Sequence, residues 1–197
     1  MNRTLVALFA AAGLALAGAA SAQVTSPHAH DKAARDQAIK AAEAQYKTDK
    51  EACKSLSGNA KDICMEEAKG KEKVAKAEAD AAYENTPKAR ENARIAHADA
   101  TYEVAKEKCD DLSGNRKDVC VQEAKAQYTK AKADAKVDRV AGESSRNAID
   151  KTASARKDAM EDKRDADYKV AVEKCDSLSG TAKDTCVRDA KSRYGKS

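Results

Sequence analysis

Nine side chains of this sequence could do chemistry by type: six cysteines and three histidines. The cysteines fall in three pairs of one spacing, Cys53 with Cys64, Cys109 with Cys120, and Cys175 with Cys186, each with ten residues between. A dithiol redox centre uses Cys-x-x-Cys. A structural zinc site uses four ligands with two to four residues between paired cysteines. Neither pattern is present, so the spacing points to disulfides. Among the histidines, His28-Ala29-His30-Asp31 could hold a transition metal, but two imidazoles make a small cluster. No metal is assigned, and His28 and His30 remain the candidate ligands. His97 has no cysteine near it in sequence. The sequence carries no Cys-x-x-Cys-His, Gly-rich phosphate loop, G-x-S-x-G or H-E-x-x-H. Carboxylates abound, but a catalytic pair needs a cleft to shift its pKa values, and this composition offers no deep pocket. The reading is a non-enzyme without cofactor.

What must position the cysteines is a stretch that occurs three times. The copies are Tyr46…Cys53-Lys-Ser-Leu-Ser-Gly58-Asn59…Cys64, Tyr102…Cys109-Asp-Asp-Leu-Ser-Gly114-Asn115…Cys120, and Tyr168…Cys175-Asp-Ser-Leu-Ser-Gly180-Thr181…Cys186. Each reads as a helix, a short turn and a second helix. Leu-Ser-Gly is expected to end the first helix with Gly as a left-handed cap. Asn59, Asn115 or Thr181 is expected to cap the second, helped by Asp62, Asp118 or Asp184. Each pair of cysteines is symmetric about its turn, so two antiparallel helices bring the pair face to face. Of the 15 pairings six cysteines allow, the repeat selects Cys53–Cys64, Cys109–Cys120 and Cys175–Cys186. The fold class is all-α: three disulfide-stapled antiparallel hairpins, six helices, coiled-coil-like and elongated.

The first residues read as a secretory signal, residues 1–22, with basic Arg3, an apolar run and Ala20-Ser21-Ala22 before Gln23. Hairpins are expected over 23–85, 86–142 and 143–197. Removing the signal takes Lys+Arg from 37 to 36 against 33 acids, a net of 36 − 33 = +3. Acids and bases alternate as on solvated helix faces, without the clustered basic patch of a nucleic-acid binder. Export and an even cysteine number imply an oxidising compartment, periplasmic or secreted. No later stretch is apolar enough to span a bilayer.

Helix starts are expected at Ser26-Pro27, at Thr86-Pro87, and after Ser144 or Ser145. Gly70 is expected to weaken the second helix. A heptad seam runs Ile39, Ala42, Tyr46, Asp49, Cys53, Leu56 in the first hairpin and Ile95, Ala98, Tyr102, Ala105, Cys109, Leu112 in the second. In the third it degrades to Glu161, Arg164, Tyr168, Ala171, Cys175, Leu178. Tyr128 and Tyr194 fall level with Tyr102 and Tyr168 and read as paired seam tyrosines.

The repeated Tyr-x(6)-Cys-x(2)-Leu-Ser-Gly-x(2)-Lys-Asp-x-Cys-x(3)-Ala-Lys unit resembles that of small, uncharacterised exported proteins of Gram-negative bacteria. The Ala/Lys/Glu-rich helices are similar in composition to the periplasmic helical segment of TolA, a cell-envelope protein. This chain departs from TolA in its apparently cleavable signal and in lacking a recognisable C-terminal globular domain. Neither resemblance implies catalytic residues. The expected function is that of an envelope spacer or protein-interaction module, with envelope proteins as partners and an oligomer possible. The alternative is a stress-related hydrophilic protein that protects other molecules or sequesters metal, prompted by the charge density and by His28 and His30.

Overall fold

A computed structural model describes residues 30–143 and 147–196. The signal sequence, Ser26-Pro27, His28, Ser144 and Ser145 lie outside the described residues. The described residues form six helices, α1 (Lys32–Ala52), α2 (Gly58–Glu84), α3 (Pro87–Cys109), α4 (Asn115–Ala141), α5 (Ala148–Cys175) and α6 (Gly180–Tyr194). A 3-10 turn, Cys53–Ser55, follows α1.

Their boundaries have local causes. Asp31 caps α1, its carboxylate accepting from Ala34 N at 3.0 Å. Asn85 ends α2 in the left-handed conformation, with φ 49°. Thr86 then caps α3 by accepting from Ala89 N, and Pro87 takes the first helical position, where its missing N–H costs nothing. Asn147 precedes α5 without a side-chain cap bond.

The hairpin turns differ from the sequence expectation. The first helix of each hairpin stops at or just before its cysteine, and Leu56 is already extended, with φ −96° and ψ 164°. Leu56 and Leu178 therefore leave the seam and stand 42% and 43% exposed. The glycines open the second helix instead of closing the first. Gly58, Gly114 and Gly180 all have φ +55°, and at Gly114 ψ is −149°, a combination that only glycine adopts without strain. Asn59, Asn115 and Thr181 consequently sit inside the helix and do not cap it. The cap positions are Ser57, Gly114 and Ser179, none of which makes a side-chain bond.

Among the described residues each helix packs only against its neighbours in sequence: α1 on α2, α2 on α3, α3 on α4, α4 on α5, α5 on α6. The chain is thus an array in one dimension, where each unit is stabilised by nearest neighbours. Its interior is almost entirely alanine, including Ala68, Ala93, Ala96, Ala126, Ala135 and Ala166, with Val140 the large exception. The largest fully buried side chains are Cys53, Cys109 and Cys175. Small side chains let backbones approach closely. One close approach is at Gly70 in α2, where a Cβ would lie 2.8 Å from the Ala100 Cβ and 3.4 Å from its Cα. α2 runs unbroken through Gly70, where the missing side chain admits α3. The same register in the next interface holds Ala126 and Ala166, both buried.

Candidate functional site

The three disulfides close each hairpin between residues eleven apart, with Cα–Cα distances of 5.7 Å in every copy. No cysteine is free. Alanines beside the cysteines make this separation attainable, since it is shorter than the roughly 8–10 Å between ordinary packed helices.

One step from the staples lie the seam tyrosines. Tyr102 stacks on Tyr128 with centroids 5.2 Å apart, and Tyr168 meets Tyr194 edge-on at 6.3 Å. In the first hairpin Glu72 stands in the second tyrosine's place, so Tyr46 has no such partner. Tyr128 donates to the Asp99 carboxylate, and this bond together with burial pushes its pKa up to about 12. The neutral phenol is therefore favoured by the folded chain. The stability this provides is complete below the unfolded phenol value of about 10 and is lost as pH rises from there through about 12. Ultraviolet titration of the native chain should show a tyrosine ionising near pH 12 that is missing from Tyr128→Phe.

At the far end of the second hairpin, Glu91 is 7% exposed. Lys88 Nζ lies 2.6 Å and Arg139 Nε 3.1 Å from its Oε2, and Arg139 also pairs with Glu143. This cluster ties the start of α3 to the end of α4. Arg139→Ala should cost about 1–2 kcal/mol, because it strips charge-assisted bonds from a buried carboxylate. The double variant Arg139→Ala/Glu91→Leu should recover most of that loss in a urea melt, since no charge is then left buried.

The sequence reading missed the contacts between hairpins. Asn59 Nδ2 donates to the main-chain carbonyl of Glu107 at 2.9 Å, and Asn115 Nδ2 to that of Glu173 at 3.0 Å. Each asparagine thereby adds a second donor to a carbonyl at the end of the next hairpin's first helix, one that already accepts from Asp110 N or Asp176 N. Beside each bond an ion pair spans the same interface, Lys108–Glu67 at 4.0 Å and Lys174–Glu123 at 2.6 Å. Further ion pairs cross α2–α3 (Lys73–Asp99, 2.5 Å) and α4–α5 (Lys130–Asp167, 2.5 Å). Open grooves run along the array. One, about 590 Å³, is lined by Tyr102 and Tyr128, by alanines, and by Arg94, His97 and Asp134.

Of the two candidate metal ligands the structure describes one, His30. The His30 ring packs edge-on to Tyr83, and the His30 main-chain N–H donates to the Tyr83 carbonyl at 2.8 Å, while His28 lies outside the described residues. His97 pairs with Glu78 at 2.7 Å. Among the described residues no three His, Cys, Asp or Glu side chains cluster as metal ligands.

Fold and staples define a class of protein: a repeat array of disulfide-closed helical hairpins with charged outer faces. No family model matches the chain, and no curated protein or solved structure matches it either.

Proposed function

We propose that the chain is a non-enzymatic envelope protein of the periplasm or the secreted compartment, acting as a spacer or interaction module. The observation that carries this reading is the nearest-neighbour array itself. Helices of up to 28 residues, about 42 Å long at ~1.5 Å per residue, lie side by side with long charged faces open to a partner. Three staples suit an oxidising compartment. Among the described residues no helix is long and apolar enough to cross a membrane, so the array would meet the envelope through proteins. In vivo cross-linking followed by affinity purification under denaturing conditions tests this. Recovery of a defined envelope protein, in stoichiometric yield and lost on deleting one hairpin, is the expected result. Recovery of the uncross-linked chain alone would end the interaction reading.

A further inference from the structure

The bond from Asn59 to the Glu107 carbonyl and that from Asn115 to the Glu173 carbonyl are one device used twice. Each comes with its own ion pair, Lys108–Glu67 or Lys174–Glu123. The positions are equivalent in the repeat: the asparagine follows the turn glycine, the lysine directly precedes the first cysteine, and the glutamate lies three residues after the second. Together they fix where one hairpin docks on the next.

Among the described residues, α1 and α6, the two outer helices of the array, each have one helical neighbour. A second copy adding end to end would set α6 of one chain against α1 of the other, in the way that α2 meets α3. At that joint Thr181 stands where the asparagine should be and Ala52 where the lysine should be. Asp189 replaces the glutamate. The threonine hydroxyl is one atom shorter than the asparagine amide nitrogen, and Ala52 offers no cation. The steric part of the joint is retained: Ser192 and Ala44 take the places of Gly70 or Ala126 and of Ala100 or Ala166, so both backbones could still come close. Discrimination against the extra unit is thus polar.

We infer that the asparagine–carbonyl bond with its lysine–glutamate pair is a docking code between hairpins, and that Ala52 and Thr181 deny this code to a second copy of the chain. Head-to-tail addition of a second copy at these two edges is blocked by their chemistry, without any bulky obstruction.

The test is sedimentation velocity over a concentration series on the purified chain with its disulfides intact. The native chain should sediment as a monomer throughout, and the variant Ala52→Lys/Thr181→Asn/Asp189→Glu should sediment faster as concentration rises. A native chain that associates through lysine cross-links between α6 and α1 would overturn the inference. So would a helical, oxidised triple variant that stays monomeric. A second measurement does not depend on that variant folding. Asn59→Ala should speed amide hydrogen exchange at the α2–α3 interface by about 5- to 10-fold, the expected effect of one half-buried hydrogen bond. Unchanged exchange there would show that the bond is no part of a code.

Discussion

Replacing Cys109 and Cys120 together by alanine should lower the stability of the array by about 3 kcal/mol, the chain-entropy value for a loop of roughly 12 residues. At about 2–4 °C per kcal/mol for a chain of this length, the melting temperature should drop by about 6–12 °C. The effect is large because little else holds the hairpin. The interior is alanine, and each methyl removed from water contributes little at ~25 cal/mol per Å², whereas Cys109 is among the largest fully buried side chains. Position in the array decides how far the damage spreads. Hairpin two has neighbours on both sides, through α2 and α5, so faster hydrogen exchange should reach all four helices. Removing Cys175 and Cys186 should loosen only α6 and the end of α5. Circular dichroism should show most of the helix retained in both variants, since Ala, Lys and Glu favour it intrinsically. An unchanged melt for the central variant would contradict the view that the staples dominate this interior.

Gly70→Leu should also cost about 3 kcal/mol, the upper part of the range for overpacking a closed interface. Its Cβ would meet Ala100 at 2.8 Å, and the neighbouring backbone Cα at 3.4 Å leaves no side chain able to swing aside. α2 and α3 must part, and the Asn59–Glu107 bond should weaken with them. Helix propensity pulls the other way by about 1 kcal/mol, so the sign of the change decides which effect wins. Gly70→Ala should already be destabilising despite that gain. Gly70→Ala/Ala100→Gly should restore most of the loss, because the interface again holds one methyl group at this contact. Denaturant melts of the three variants give the comparison, and a Gly70→Ala chain more stable than the native one would show that the close approach is not tight.

Legibility in the sequence followed the distance between partners along the chain. The staples join residues eleven apart across a turn, and the tyrosine pairs flank the same turn. Such contacts are written locally, in spacing and symmetry, and the three repeats spell them alike. Asn59 and Asn115 look like helix caps by residue type and position. They are found inside the helix because the preceding glycine takes φ +55° and starts the helix earlier. Leu56 and Leu178 look like seam residues, yet the helix unwinds at the cysteine before reaching them.

The sequence by itself therefore determined three stapled all-helical hairpins and their cysteine pairing. Only the tertiary structure decided that the hairpins pack in single file, with α2 on α3 and α4 on α5. The reason is the interior's composition. Alanine occupies exposed and buried faces alike, so hydrophobic periodicity marks the seam within a hairpin and is silent on the seam between hairpins. The bonds that set the docking run from an asparagine to main-chain carbonyls 48 and 58 residues away. Every residue carries a carbonyl, so the acceptor leaves no mark in the sequence, and only the packed helices single out Glu107 and Glu173.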